Sequence, residues 1–417
     1  MKVAFYIPNK GFADRDLRNV NDGNPGIGGS EYSAVLIASN ICRMSDLDVV
    51  LLCDLQGQFP IGLKTKACGS LHNALTYAQI NGFDYVIVDA KLLKEHILLH
   101  FYNVRFIAWA NCFVEPEEQL RFSHYPNLVR IVNVGSHQND LLRNSCVGNK
   151  STFIFNAVPT RILDKYRGNI NPISKRKNNV VYIGSLHKAK GFHCLAQVWP
   201  KILSEIPDAN LYVIGSAHLY GKWAKLGKWG IAQQEYEEEF MPYLTDENGK
   251  ILPSVHFMGV MGAEKYDILN RCKVGVPNPW GISETFGYTA VEMELMGCHV
   301  TTIRCPGYLD TIYNQGNLYD NIESLSDYVV KLLGSNELDY NGVLGFISQF
   351  SIQKISNQWI HFLLSLDNEP YVHFKPSLWR RFSVAIKKRF NEYKLRNSYW
   401  ARKIRAIQPY MANRLGK

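Results

Sequence analysis

Residues 277–300 read PNPWGISETFGYTAVEMELMGCHV, and this segment contains the most informative pattern in the chain. Its prolines end a predicted strand, a loop carries Glu284, and the pattern predicts a helix that begins near Thr285. The first N–H groups of that helix, including those of Phe286 and Gly287, have no partner within the helix and point out of its amino-terminal end. Together with the positive end of the helix dipole, they predict a site for an anion such as a diphosphate.

A second carboxylate, Glu292, follows Glu284 by eight residues and lies two turns along the predicted helix. Carboxylates accept hydrogen bonds from hydroxyl groups, which is how proteins recognise polyols. The two acids are therefore predicted to hold a sugar and a ribose close to the phosphates. Glu294 has no such role, and we expect it on the surface.

Short runs of β-branched and aromatic residues alternate with helical patterns on both sides of this segment, which is typical of a doubly wound α/β architecture. The predicted strands are 2–8, 48–54, 85–90, 105–110, 128–134 and 152–158 in the first half, and 179–185, 210–216, 255–260, 273–278 and 299–304 in the second. The polar and basic segment 169–179 contains a turn-forming proline and is predicted to be the linker. Two Rossmann-like units joined in this way place a ligand cleft between them.

The domains are therefore predicted at 1–170 and 171–349, followed by a closing helix at 350–367 and a tail at 368–417. Residues 217–253, rich in Trp, Tyr, Lys and Glu, are predicted to form a helical insertion beside the cleft. This insertion either adds packing or contributes to substrate choice.

The composition indicates a globular protein with a substantial core. The chain has 417 residues, of which 46% are hydrophobic, 12% aromatic and 20% charged, and these values exclude extensive disorder. Nine cysteines without CxxC pairs favour a reducing compartment over a disulfide framework. No apolar run approaches the roughly 18–20 residues of a membrane-spanning helix, and the first residues resemble a strand rather than a secretory leader. We therefore expect a cytoplasmic protein.

The net charge of +9 comes from the carboxyl-terminal tail. Residues 368–417 contain 13 Lys and Arg against two acids, so the rest of the chain is close to neutral. This distribution argues against a general nucleic-acid-binding protein and for one localised electrostatic contact.

The tail has the pattern of a basic amphipathic helix. Its aromatic and aliphatic residues recur at helical spacing, and basic residues occupy much of the remaining surface. Such a helix binds either an anionic membrane surface or a partner protein. The residues predicted to make this contact are Trp379, Arg380, Arg381, Phe382, Lys387, Lys388 and Arg389.

An ordered set of short motifs over residues 1–366 resembles family 4 of the retaining GT-B glycosyltransferases. In chain order the motifs are GGSE (28–31), VYIGSL with a following KG (181–186 and 190–191), VHFMG (255–259), ETFGYTAVE (284–292), GCHV (297–300), PGYLD (306–310) and the FS that opens the closing helix (350–351). The resemblance implies a GT-B fold, in which the first domain serves the acceptor and the second binds a nucleotide-sugar donor.

The resemblance also implies roles for individual residues. Glu284 would bind donor-sugar hydroxyls and Lys190 the diphosphate, and these two are the predicted catalytic residues. Glu292 would bind the ribose. The other predicted donor-binding residues are Gly28, Gly29, Gly184, Ser185, Lys188, Phe257, Met258, Thr285, Phe286 and Gly287.

Two positions depart from the family pattern. Ser185 stands where the family has an arginine that helps to bind the diphosphate, and Lys188 is a candidate for supplying the missing charge. Asn111 stands where the family often has a histidine. It can donate a hydrogen bond on the acceptor side but cannot act as an acid or base.

The sequence thus predicts a retaining transferase that moves a sugar from a nucleotide-sugar to a hydroxyl of a lipid-linked or polysaccharide acceptor. The expected setting is bacterial surface-glycan biosynthesis, such as that of capsule or lipopolysaccharide, at the inner face of the cytoplasmic membrane. No metal or other cofactor is expected, because the chain has no metal-binding motif of the HExxH, Cys/His-cluster or EF-hand type. Two alternatives stay open: a transferase-like scaffold with weak or no activity, and another GT-B enzyme such as a nucleotide-sugar epimerase.

Overall fold

The computed structural model describes residues 1–166, 168–217, 225–281 and 284–366. The first half of the chain forms a parallel sheet of seven strands in the order β3-β2-β1-β4-β5-β6-β7. Its strands are β1 (Lys2–Ile7), β2 (Asp48–Cys53), β3 (Lys64–Ala67), β4 (Tyr85–Asp89), β5 (Phe106–Ala110), β6 (Leu128–Asn133) and β7 (Ser151–Phe153).

The second half forms a parallel sheet of five strands in the order β10-β9-β8-β11-β12. Its strands are β8 (Asn179–Ile183), β9 (Asn210–Ile214), β10 (Val255–Gly259), β11 (Val274–Gly275) and β12 (His299–Val300). A separate parallel pair joins β13 (Thr302–Ile303) to β14 (Leu318–Tyr319).

Helices cover the sheets, as the alternating sequence pattern predicts. They are α1 (Gly29–Met44), α2 (Leu71–Ile80), α3 (Glu95–His100), α4 (Pro116–His124), α5 (Ser136–Asp140), α6 (Ile162–Tyr166), α7 (Phe192–Glu205), α8 (Gln234–Phe240), α9 (Lys265–Leu269), α10 (Tyr288–Leu295), α11 (Pro306–Thr311), α12 (Leu325–Gly334), α13 (Tyr340–Ile347) and α14 (Ile352–Ser365). Successive side chains of the central strands are buried on both sheet faces. For this reason β1 is almost entirely apolar instead of alternating apolar with polar residues.

The last helix, α14, packs against the sheet of the first half. Trp359 is fully buried, and its ring centroid lies 6.1 Å from that of Phe5 and 4.8 Å from that of Trp109. A backbone bridge between Val158 and Ser351 lies where the chain returns to this side. The second half of the molecule is thereby tied to the first by its own final helix.

The predicted strands correspond to β1, β2, β4 to β7 and β8 to β12, with shorter bounds in several cases. Two strands were missed: β3 is a polar edge strand, and β14 has only two residues. The predicted strand 299–304 divides into β12 and β13, because Thr301 bonds to Gly275 at the main sheet while Thr302 pairs with β14.

The predicted insertion at 217–253 contributes packing in its described part. Its helix α8 lies on α7, where Phe240 contacts Phe192 at a centroid distance of 5.0 Å and both side chains are fully buried. The basic tail at 368–417, with its predicted membrane or partner contact, lies outside the described residues. Within those residues, no helix is long and apolar enough to span a membrane.

Candidate active site

A cavity of about 440 Å³ lies between the two sheets. In the second half it is lined at the carboxyl ends of β8, β9 and β11, the usual position of ligands in open parallel sheets. Its polar lining comes from both halves of the chain and comprises Asn24, Ser30, Asn111, Asn156, Ser185, His187, Lys190, Lys265, Asn278, Glu284, Thr285, Thr289 and Glu292.

A larger cavity of about 820 Å³ lies beside the interdomain linker, away from these residues. Its main polar group is Arg176, whose guanidinium is already bonded to the backbone carbonyls of Asn171, Leu269, Cys272 and Met296. These contacts hold the linker on the second domain, so the smaller interdomain cavity is the better candidate for chemistry.

Glu284 and Lys190 form the polar centre of the interdomain cavity. The Nζ atom of Lys190 lies 3.0 Å from Oε2 of Glu284, and the side-chain amide of Asn278 donates to the same oxygen at 2.9 Å. Burial by itself raises the pKa of Glu284. The charge of Lys190, with hydrogen bonds from Asn278, Lys190 and the N–H of Gly287, outweighs it and lowers that pKa below its usual value. Glu284 is therefore an ionised carboxylate held in a fixed position.

The helix that carries Glu292 begins at Tyr288, three residues later than predicted. Gly287 adopts a left-handed φ of 77° and ends the loop, and its N–H bonds to the carboxylate of Glu284. The side chain of Phe286 is buried. The first N–H groups of the helix itself are thus those of Tyr288 and Thr289, and the N–H of Gly287 is taken by Glu284.

Glu292 lies further along the same helix and is only 4% exposed. Its Oε1 atom lies 2.7 Å from Nζ of Lys265 and accepts a hydrogen bond of 2.8 Å from the hydroxyl of Tyr266. Both partners come from α9. The sequence analysis missed Lys265, because its position in a short helix carries no signal of its proximity to Glu292.

The first domain closes the cavity with the start of α1. Gly29 is the first residue of α1, Gly28 precedes it, and an added Cβ at Gly29 would lie 3.4 Å from the ring of Tyr288. The hydroxyls of Ser33 and Tyr288 lie 2.5 Å apart. The predicted glycine turn therefore contacts the amino-terminal end of α10, and Gly184, after β8, also lines the cavity.

Asn111 also lies at the domain boundary. Its backbone carbonyl accepts a hydrogen bond of 2.7 Å from the hydroxyl of Thr285, and its side-chain amide donates to Asp89 at 3.2 Å. The side chain of Asn111 is thus oriented by Asp89, which fixes the amide at the first-domain side of the cavity.

Three predicted donor-binding residues lie elsewhere. Lys188 is exposed and forms an ion pair with Glu239 at 2.8 Å, so it does not replace the charge missing at position 185. Phe257 packs against Phe192 in the core, and Met258 is 39% exposed outside the cavity lining. Val260 and Met261, which follow β10, line the cavity where Phe257 and Met258 were predicted to lie.

Asp310 connects the two domains and was also missed as a site residue. Its carboxylate accepts hydrogen bonds from the hydroxyl of Ser136 and from the backbone N–H of His137, the latter at 3.1 Å. Gly307, in the same helix as Asp310, lies against the backbone of Thr285. The contact therefore links the loop that carries Glu284 and Thr285 to α5 of the first domain.

The prediction that Glu294 lies on the surface is wrong. It is 4% exposed, its Oε1 atom accepts the N–H of Tyr313 at 2.9 Å, and its Oε2 atom has no hydrogen-bond partner in the described structure. Burial raises its pKa to about 8. The helix α10 is covered on all sides at this point, so its short sequence pattern could not distinguish a buried acid from an exposed one.

Comparison with known proteins agrees with this architecture. Residues 177–335, less than half of the chain, match the family model described as glycosyl transferases group 1. No curated protein matches the chain.

Three solved structures resemble nearly the whole described molecule. HepE of Anabaena, in complex with UDP, has a TM-score of 0.59 and 15% identity over 88% of this chain and 100% of that chain. AviGT4, a glycosyltransferase involved in avilamycin A biosynthesis, has a TM-score of 0.58 and 15% identity over 88% and 98%. The trehalose-6-phosphate synthase OtsA has a TM-score of 0.60 and 10% identity over 87% and 99%. The predicted GT-B fold is confirmed, and residues 177–335 match the model of group 1 glycosyltransferases.

Proposed function

We propose that the protein is a retaining glycosyltransferase of family 4 that moves a sugar from a nucleoside-diphosphate sugar to a hydroxyl group. The observation that carries this proposal is the arrangement of Glu284 with Lys190 and of Glu292 with Lys265 in one interdomain cavity, beside the first turn of α10. The match of residues 177–335 to group 1 glycosyltransferases supports it independently.

In this proposal the donor phosphates lie at the amino-terminal end of α10. The N–H groups of Tyr288 and Thr289 donate to them, and Lys190 neutralises the charge that develops as the diphosphate leaves. Glu284 binds hydroxyls of the donor sugar, and Glu292 binds those of the ribose. Because the cavity is partly closed from water, these fixed charges act more strongly than they would in solvent.

No residue is assigned as a covalent nucleophile. The departing phosphate helps to remove the proton of the acceptor hydroxyl on the face of the sugar from which it leaves, as the resemblance implies. Catalysis then depends on positioning and on fixed charges. Transfer without a metal ion is part of the proposal, and unchanged activity in excess EDTA is the expected result.

The proposed acceptor is a lipid-linked or polysaccharide glycan in bacterial surface-glycan synthesis. The basic and aromatic composition of residues 368–417 supports a place at the inner face of the cytoplasmic membrane, or on an assembly partner. Flotation of the full chain with vesicles of anionic lipid tests the membrane contact, and binding equal to that of neutral vesicles would count against it.

A thermal-shift panel tests the donor class. UDP, GDP, ADP, CMP and dTDP are added without metal to the wild type and to Glu292→Ala. A ligand at about 100 times its dissociation constant stabilises by roughly 2.7 kcal/mol, so one nucleotide should raise the melting temperature measurably. We expect the rise to be lost in Glu292→Ala, and no rise with any nucleotide would favour the scaffold interpretation, which Ser185 in place of arginine otherwise supports.

Product analysis with the nucleotide-sugar of the same base tests the reaction. Glu284→Gln keeps the size of the side chain but removes its charge. Because one charge-assisted hydrogen bond is lost, we expect kcat to fall at least tenfold. A product that is an epimerised nucleotide-sugar, or unchanged turnover in Glu284→Gln, would refute the proposed mechanism.

A further inference from the structure

Lys265 is a buried cation in the interdomain cavity whose role the family resemblance does not describe. It is the first residue of α9, is 5% exposed, and lines the 440 Å³ cavity. Lysines are almost never buried to this extent unless their charge is compensated. Glu292 provides that compensation with its Oε1 atom at 2.7 Å.

The hydrogen bonds of this pair are incomplete. An ammonium group has three donors, and in the described part of the chain Glu292 accounts for one of them, while the ring centroid of Tyr266 lies 5.2 Å away. The Oε1 atom of Glu292 takes both Lys265 and the Tyr266 hydroxyl, which leaves its Oε2 atom for another donor. Unused donors and an unused acceptor therefore stand side by side at the cavity wall.

The pair also lies close to the proposed phosphate position. Helical side chains tilt toward the amino terminus of their helix, so the carboxylate of Glu292 reaches back toward the turn of Tyr288 and Thr289. Lys265, bonded to that carboxylate, brings its positive charge to the same end of α10. In contrast, Lys188 is bonded to Glu239 outside the cavity, and position 185 is a serine.

The charges of the cavity favour a role for the second lysine in binding a diphosphate. Glu284 and Glu292 offset Lys190 and Lys265, so the four side chains are neutral together, while the diphosphate of a nucleotide-sugar carries two negative charges. Without Lys265 the cavity would hold two carboxylates and one ammonium beside this dianion, and like charges in a partly desolvated site repel strongly.

We propose that Lys265 contacts the nucleoside diphosphate directly and supplies the second positive charge of the donor site, while Glu292 binds the ribose with its free oxygen. This inference rests on the proposed function, because it assigns a further residue to the same donor site. Lys265 is thus a donor-binding residue in addition to being the counterion of Glu292.

A pair of variants separates the two roles. Glu292→Gln removes the carboxylate and leaves Lys265 facing a neutral amide, and the double variant Glu292→Gln with Lys265→Met removes both charges, so neither variant contains an unpaired buried acid. Thermal unfolding of both variants first establishes that each is folded. Dissociation constants are measured by calorimetry for the tightest binder among UDP, GDP, ADP and dTDP, and for its nucleoside. Lys201→Met is the control, because Lys201 is 53% exposed and bonded to Asp327 at the surface.

We expect the double variant to bind the nucleoside diphosphate at least tenfold more weakly than Glu292→Gln, with the affinity for the nucleoside changed less than threefold. Equal affinities of the two variants for the nucleoside diphosphate would overturn the proposal, because Lys265 would then serve only to neutralise Glu292. An equal loss of affinity for the nucleoside diphosphate and for the nucleoside in the double variant would also overturn the proposal. Failure of the wild type to bind any of the four nucleotides would instead refute the proposed function, on which this inference depends.

Discussion

Replacement of Glu294 by glutamine is expected to remove a pH-dependent weakness of the fold. Glu294 is buried in α10, two residues beyond Glu292, and burial raises its pKa from 4.5 to about 8. The amide of glutamine keeps an oxygen for the N–H of Tyr313, and its nitrogen takes the place of Oε2, which has no partner in the described structure. The substitution therefore removes the ionisable proton and retains the observed hydrogen bond.

The sign of the effect follows from proton binding. Between pH 4.5 and about 8 the folded protein keeps a proton on Glu294 that the unfolded chain has lost, so the free energy of unfolding falls as the pH rises. Each pH unit in this window contributes about 1.4 kcal/mol. The wild type should lose about 2 kcal/mol between pH 6.5 and 8, and Glu294→Gln should be more stable than the wild type at pH 8 by up to about 4 kcal/mol.

Two other buried groups set the limits of the measurement. Burial lowers the pKa of His299 from 6.5 to about 4, so His299 changes the free energy of unfolding with pH only below about pH 6.5. Burial also lowers the pKa of Lys150 to about 8, and its contribution begins there. The interval from pH 6.5 to 8 therefore avoids most of the contribution of these two groups. Burial also raises the pKa values of Glu31 and Asp89, so the contribution of Glu294 is taken from the difference between the wild type and Glu294→Gln.

The assay is thermal unfolding of the wild type and Glu294→Gln in buffers of equal ionic strength across this interval. We expect the melting temperature of the wild type to fall by several degrees and that of the variant to stay nearly constant. Glu235→Gln, at an exposed position of α8, controls for the removal of one negative charge and should follow the wild type. If the melting temperatures of the wild type and Glu294→Gln changed equally with pH, Glu294 would be ionised in the folded protein and the reasoning would be refuted.

Three further substitutions test how the domains and the donor loop are held. Asp310→Ala removes the polar contact between α11 and the first domain. A charge-assisted hydrogen bond is worth about 1.5–3 kcal/mol, so we expect kcat/KM to fall roughly tenfold and the radius of gyration in X-ray scattering to increase. An unchanged radius of gyration would mean that other contacts close the cleft. Trp359→Ala should destabilise the protein by about 3–5 kcal/mol, because it empties the space between α14 and the first sheet; a loss below about 1 kcal/mol in urea unfolding would contradict this. Gly287→Ala forces a side chain into a left-handed conformation with its Cβ 2.6 Å from the ring of Tyr308, so we expect a loss of more than about 1 kcal/mol together with lower turnover. Gly345→Ala, where an added Cβ meets no neighbouring atom, should be nearly neutral, and equal effects of the two glycine variants would refute the steric argument.

Patterns of local sequence determined the architecture and the centre of the candidate site. Alternating strand and helix signals predicted two parallel sheets, because strands buried on both faces must be apolar along their whole length. The spacing of Glu284 and Glu292 around a glycine predicted two carboxylates beside a helix terminus. Lys190 was assigned to the same cleft only by the resemblance to a known family, because its partner Glu284 lies 94 residues away. The strand pattern and the spacing of the two acids depend on neighbours within a few turns of the chain, and such information is present in the sequence itself.

The tertiary structure decided which distant residues complete the site. Lys265 and Asp310 act through partners that lie 27 and 174 residues away, Glu292 and Ser136, and no local periodicity records such a pairing. The burial of Glu294 depends on the segments that cover α10, and the start of that helix depends on the carboxylate that binds the N–H before it. Packing of separate elements sets the charge, the orientation and the protonation of these groups, because desolvation and hydrogen-bond partners are properties of the folded surroundings rather than of the residue.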